Sequence, residues 1–252
     1  MHDASWKKIF KDYNIYAHDF DKSPYIITAE QIKRACQDFK NTGEKEVRIL
    51  CKQDTRESRP QVFKDMGLFI LPIKNGEYAI IKGEGYVDIP KIIGNPIEYF
   101  SKLDFNLDTV TIGDSEMQHL DYAYATSLIR TFLDDNTLVL TIRGRKYTPS
   151  FSFYVGKHNL EVKGVQTEVD AGFEGKEKVV LIEAKNRQES NVIIRQLYYP
   201  YRQWQQVTKK KVIPIFFEKV DKIFMLYQFE FTELENYNSI RLVKSGKFLI
   251  VK

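Results

Sequence analysis

The sequence predicts an α/β protein, α+β overall, built in two parts. Three observations carry that prediction. Helix-type and strand-type apolar patterns alternate along all 252 residues. A polar, turn-rich stretch at 102–114, KLDFNLDTVTIGD, separates two regions of dense apolar patterning. Hydrophobic residues make up 43% and charged residues 29%, enough for a packed core, which excludes a disordered or collagen-like chain. The expected division is an α+β domain over 1–107 and a larger domain over 108–252.

The first part opens on a helix, because Trp6, Ile9, Phe10 and Tyr13 recur at helical spacing. A second helix starts at Thr28, where Gln31 three positions on completes a capping box and Ile32, Ala35, Cys36 and Phe39 form an apolar stripe. A short strand is expected at 47–51, a helix around 60–66, and a strand pair at 69–73 and 78–81 around the Lys74-Asn75-Gly76 turn. Helices followed by a hairpin fit a small α+β module, and a winged-helix-like arrangement is one topology that suits them.

The second part opens on a helix over 116–132, with Met117, Leu120, Tyr124, Leu128 and Phe132 on one face. Strands follow at 137–142, 150–155, 165–174 and 179–185. A helix over 190–206 is bent by Pro200, and further strands lie at 212–217, 223–231, 240–243 and 248–251. That order predicts a central mixed sheet flanked by helices.

The text TEVDAGFEGKEKVVLIEAK, 167–185, carries the chemistry. With Gly175 to Lys178 as the loop, Glu174 faces Val179, Asp170 faces Glu183 and Glu168 faces Lys185. Alternation puts Glu168, Asp170, Glu183 and Lys185 on one face, and Val169, Ala171, Phe173, Val180, Ile182 and Ala184 on the other. Val179 to Ile182 is apolar enough to be buried on both faces. Charges ending such a strand are costly unless paired or bound to a metal, and two facing carboxylates repel. A divalent cation between them resolves that conflict, and hard oxygen donors suit Mg²⁺.

Asp170, twelve intervening residues and Glu183-Ala184-Lys185 resemble the D…(D/E)xK signature of the PD-(D/E)XK nuclease superfamily. The longer text, EVDAGFEG…VVLIEAKN…IRQLYYPYRQW, is most similar to its type II restriction endonucleases; the resemblance spans 115–217. Val169 stands where the superfamily often has proline. The resemblance implies a nuclease core in the second part. It also implies that Asp170, Glu183 and the Ala184 carbonyl hold Mg²⁺ (Mn²⁺ can substitute) and that Lys185 is the catalytic lysine. The implied reaction is hydrolysis of double-stranded DNA to 5′-phosphate and 3′-hydroxyl ends, by a homodimer at a palindromic site.

Glu116 can add a third carboxylate, or simply favour its helix start through the macrodipole. Glu168 either assists the metal or pairs with Lys185. Gln196 either reaches the scissile phosphate or the lysine, or faces solvent. The segment 185–211 holds Lys185, Arg187, Arg195, Arg202, Lys209, Lys210 and Lys211 against the single acid Glu189. Its net +6 exceeds the whole chain's +4 and fits DNA backbone contact. Lys52, Arg56 and Arg59 can read bases from a helix start, or form internal pairs in a charged loop.

No GxxxxGK[ST] loop is present, so ATP use is not expected. No apolar run reaches membrane-spanning length, no secretory leader is expected, and two cysteines without CxxC spacing suit a reduced, cytoplasmic protein; the resemblance implies a prokaryotic cell. Two alternatives stay open: a structure-specific repair or defence nuclease, and a non-catalytic DNA-binding regulator.

Overall fold

The computed structural model describes residues 2–251. Helix α1 (Asp3–Asp12) buries Trp6, Ile9 and Phe10, the expected stripe. Strand β1 (Tyr25–Thr28) runs into α2 (Ala29–Cys36). The capping box is formed there: Thr28 Oγ1 accepts the Gln31 N–H at 3.2 Å and Gln31 Oε1 accepts the Thr28 N–H at 2.8 Å. Short helices α3 (Thr42–Lys45) and α4 (Val47–Leu50) follow. The strand expected at 47–51 is therefore helical. Val47 and Leu50, three apart, are buried while Arg48 and Ile49 face out. A run this short fits both periods, and packing onto the core chose the helix.

After α5 (Gln61–Asp65), β2 (Leu68–Lys74) and β3 (Glu77–Lys82) form the predicted hairpin, with Gly76 at φ 76° in its turn. The sheet order is β1-β3-β2, antiparallel throughout. Its two faces enter different cores. Leu68, Ile70 and Ile80 pack with Trp6, Phe10 and Phe63 under the helices. Phe69, Leu71, Ala79 and Ile81 pack with Phe153, Tyr198 and Tyr199 of the second part. Both faces are thus buried, and the two parts share one continuous core.

Strand β4 (Tyr86–Asp88) and strand β5 (Ile97–Phe100) precede the expected seam. Helix α6 (Glu116–Ala125) and helix α7 (Leu128–Phe132) replace the single helix expected over 116–132. Ser127 between them is left-handed at φ 67°, and the Thr126 hydroxyl donates to the Tyr122 carbonyl at 3.0 Å. The break turns Leu120, Ala123, Leu128 and Ile129 all onto the sheet.

The remaining elements are β6 (Val139–Tyr147), β7 (Phe151–Val155), β8 (His158–Val162), β9 (Gln166–Glu174), β10 (Lys178–Lys185), β11 (Asn191–Ile193), α8 (Arg195–Gln205), β12 (Lys211–Val220), β13 (Ile223–Phe231) and β14 (Ile240–Val251). Seven strands form a mixed sheet in the order β5-β14-β13-β12-β10-β9-β6. The β10–β12 and β14–β5 pairs are parallel. Thus α8 is the crossover between parallel neighbours, as parallel pairing requires. It packs on one face through Leu197, Tyr198 and Tyr199, and α6 and α7 cover the other.

Strand β5 already belongs to this sheet although it lies before residue 102. Three further details differ from expectation. The hairpin partner β8 was not foreseen. The start of the predicted 190–206 helix is extended and pairs with β4. One strand, β14, runs through the two expected at 240–243 and 248–251, because Gly246 leaves room for the Phe248 ring, which a Cβ would meet at 2.5 Å. Among the described residues no helix is long and apolar enough to cross a membrane.

Candidate active site

The β9–β10 hairpin has the predicted register: Glu174–Val179, Phe173–Val180, Gly172–Leu181 and Ala171–Ile182. One residue further, the ladder stops. The Ala184 N–H donates to Asp170 Oδ2 at 2.8 Å, so a side chain replaces the backbone partner and the strands part between Asp170 and Glu183. A bulge accompanies the parting. Pairing of β9 with β6 moves from Gly172–Ile142 to Val169–Gly144, three residues on β9 against two on β6. An extra residue reverses the alternation beyond it. Val169, expected beside Ala171 and Phe173, therefore packs with Leu181 on the α8 side, while those two pack on the other.

Glu183 Oε1 accepts from Lys185 Nζ at 2.6 Å and from Gln196 Nε2 at 2.8 Å. The Glu183 and Lys185 side chains are only 11% and 19% exposed. Burial pushes the Glu183 carboxyl up to about 7; the Lys185 ammonium pulls it back and Asp170 raises it further. Burial also raises Asp170, against the Ala184 N–H and the Lys185 charge. Burial works against the Lys185 ammonium, but Glu183, Glu116 and Asp170 together raise its pKa above the ordinary value, so it is a cation. Glu116, at the start of α6, faces the same cleft as Lys185 and Gln196.

Glu168 behaves otherwise than expected. It is half exposed and sits opposite Arg145 of β6, with Nε and Oε2 3.3 Å apart, so its partner is Arg145 and not Lys185. The ladder has already opened before Lys185 comes level with it. Asp121 of α6 is ion-paired with Arg143, whose guanidinium also donates to the Asp170 carbonyl at 3.2 Å. Arg143 thus braces the bulge from behind.

No hydrogen bond among the described residues reaches Asp170 Oδ1 or Glu183 Oε2. Each carboxylate therefore keeps one hard oxygen for a cation, and Ala184, next to Glu183 in sequence, can add its carbonyl. Among the described residues no group of three His, Cys, Asp or Glu side chains converges. Two carboxylates completed by a carbonyl, waters and substrate phosphate is a coordination Mg²⁺ commonly accepts.

The site opens into a cleft of about 490 Å³. Glu116, Lys185, Arg187 and Gln196 line it from the second part, and Lys52, Thr55 and Ser58 from the first. The predicted cations divide sharply. Lys52 and Arg187 are 72% and 74% exposed in this cleft, paired with Asp54 at 3.5 Å and Glu189 at 2.5 Å. Arg56 is spent internally on Asp88 at 2.5 Å, Glu84 at 3.4 Å and the Tyr86 carbonyl. Arg59 donates to the Arg56 and Leu68 carbonyls and lies over the Tyr86 ring. Arg195 is half-buried at the start of α8.

Arg202, expected at a DNA-facing surface, is 5% exposed. It donates to the Ser152 and Leu234 carbonyls and to Tyr198 Oη, and lies 4.8 Å from the Phe151 ring centre. The sequence showed a basic helix but not which face of it the aromatic core would cover. Glu218 of β12 was also missed. It is fully buried, level with Lys185 in the parallel register. It accepts the Glu189 N–H at 2.6 Å and the Tyr227 hydroxyl at 3.2 Å. Nothing in the local text EKV distinguishes it from a surface acid.

Residues 81–249 match the family model of a domain of unknown function (DUF6997), and residues 3–80 match that of another (DUF6996). The chain belongs to the DUF6997 family. The boundary falls inside β3, whose Ile80 and Ile81 face the two different cores. No curated protein and no solved structure matches the chain.

Proposed function

We propose that the protein is a Mg²⁺-dependent endonuclease of double-stranded DNA, of the PD-(D/E)XK type and most like a type II restriction enzyme acting as a homodimer. The observation that carries this reading is the parting of β9 and β10. It leaves Asp170 together with the nearly buried Glu183 and Lys185, beside a cleft lined by Lys52, Lys185 and Arg187 and by the acids Asp54, Glu116 and Glu189. A purely structural ion pair does not need a second buried carboxylate: burial raises both Asp170 and Glu183, and Asp170 raises Glu183 further. The order of a helix, the β9–β10 hairpin, the α8 crossover and the parallel β12 agrees with a nuclease core. In the first part, the order of helix, strand, helices and hairpin, with β1 beside β3, agrees with a winged-helix-like module.

A Mg²⁺ ion on Asp170 and Glu183 would supply Lewis-acid stabilisation of charge on a scissile phosphate. Lys185, held by Glu183, presents a cation where that charge develops and can orient the attacking water. Gln196 holds the Glu183 carboxylate from α8 and fixes its rotamer. Hydrolysis breaks the 3′ P–O bond, leaving a 5′-phosphate and a 3′-hydroxyl.

Incubation with Mg²⁺ and unmethylated plasmid should give discrete fragments and none in EDTA. Glu183→Gln and Lys185→Ala should each lower the cutting rate by about 10³-fold. Equal cutting by wild type and both variants would refute the assignment. One observation favours the structure-specific alternative: Arg56 and Arg59, the expected base readers, are engaged within the protein. Cutting of branched DNA without a fixed plasmid ladder would decide for it. A Mg²⁺-independent gel shift with no cleavage would decide for a regulator.

A further inference from the structure

Two walls of different origin face each other across the cleft. The second-part wall carries Lys185, Arg187 and Gln196, and the first-part wall is the loop between α4 and α5 with Lys52, Thr55 and Ser58. That loop is fastened to the second part of the chain. The Asn191 side chain, 2% exposed, accepts the Arg56 N–H at 2.7 Å and donates to both Glu57 carboxylate oxygens at 3.1 and 2.9 Å. The Ile193 N–H donates to the Asp54 carbonyl at 2.8 Å, and the Tyr86 hydroxyl to the Gln53 carbonyl at 3.0 Å. Arg56 clamps onto β4. These contacts hold the loop in place, with Lys52, Thr55 and Ser58 lining the cleft. Asn191 and Ile193 also lead directly into Gln196, so the loop is tied through β11 to the side chain that holds Glu183.

The cleft has unmet polar capacity. Asn186 Oδ1 and Gln196 Oε1 are buried without a hydrogen-bond partner among the described residues, and both side chains line it. A buried acceptor left without a donor is costly unless a ligand or water donates to it. Each wall also carries one highly exposed cation, Lys52 and Arg187, held only by an acid of its own loop. A polyanion can take over such exposed pairs at little cost.

We propose that the α4–α5 loop is the second wall of the substrate site, and that one nucleic-acid strand passes between Lys52 and Arg187 with its phosphates contacting both. This rests on the nuclease reading and adds to it that the DUF6996 part is built into the active cleft. Asn191 is the positioning residue that holds this wall in place.

The test uses the full-length protein, Ca²⁺ in place of Mg²⁺ to prevent turnover, and a fluorescein-labelled 20-mer duplex read by anisotropy across a salt series. Lys52→Glu and Arg187→Glu should each weaken binding about 10-fold and lower the salt slope by about 1–2, while Lys22→Glu, exposed outside the cleft, should match wild type. Wild-type binding and Mg²⁺-dependent cutting with Lys52→Glu indistinguishable from Lys22→Glu would overturn the two-walled cleft and leave the nuclease reading intact. A wild type that neither binds nor cuts would overturn both. All three variants replace exposed side chains, so circular dichroism should show unchanged folding.

Discussion

Glu218 offers a measurement that depends on no assumption about substrate. Its carboxyl is fully buried on β12, and among the described residues no cation pairs with it. Its partners are the Glu189 N–H and the Tyr227 hydroxyl. Burial pushes its pKa from an ordinary 4.5 up to about 7, against both hydrogen bonds. Ionising it in the folded state therefore costs about 3 kcal/mol relative to the unfolded chain. The folded-state pKa lies above the unfolded one. The stability it contributes is thus fully present below pH 4.5 and is lost as pH rises through about 7. Glu218→Gln keeps an acceptor for the Glu189 N–H and can place its amide N–H against the Tyr227 oxygen, but cannot ionise. Urea unfolding from pH 4.5 to 8 should show the variant gaining about 3 kcal/mol on wild type across that window, then running parallel above it. Two curves that stay parallel from pH 4.5 to 7 would show that Glu218 has an ordinary pKa and that its buried placement is wrong. The difference also bears on the cleft, because Glu218 anchors the Glu189 amide in the loop that carries Arg187.

Two further substitutions separate structure from binding. Arg202→Ala should destabilise the protein by about 3 kcal/mol, since it leaves the Ser152 and Leu234 carbonyls without that donor, yet should leave the salt slope of DNA binding unchanged. A lowered slope with unaltered melting would place Arg202 at the surface after all. Gly172→Ala would set a Cβ 2.6 Å from Ile142 Cβ beside the bulge, and should cost about 1–3 kcal/mol in thermal unfolding. An unchanged melting temperature would mean β6 and β9 are not packed as described.

The parts of the fold legible in the sequence were those set by local geometry. The Thr28–Gln31 capping box, the Asn75-Gly76 turn and the 174–179 register each depend on neighbours a few residues apart. Where a local pattern admitted two answers, distant residues chose. The run 47–51 became helical because Val47 and Leu50 pack together under the first sheet. The helix expected to begin at 190 gave way to β11 because β4, a hundred residues away, offered a hydrogen-bonding edge. The basic text 185–211 looked uniform, yet Arg187 reaches the cleft while Arg202 sits among Phe151 and Tyr198.

By itself, then, the sequence determined the hairpin, its pairing, and the three charged residues at its end, because strand alternation and turn chemistry are short-range rules. Only the tertiary structure decided what surrounds them. The bulge that frees Asp170, the Arg145 that takes Glu168, the buried Glu218 and the facing wall from the first part all depend on which strands and loops become neighbours in space. That is settled by burial of the shared core, to which residues from Phe69 to Tyr237 contribute and which no local window contains.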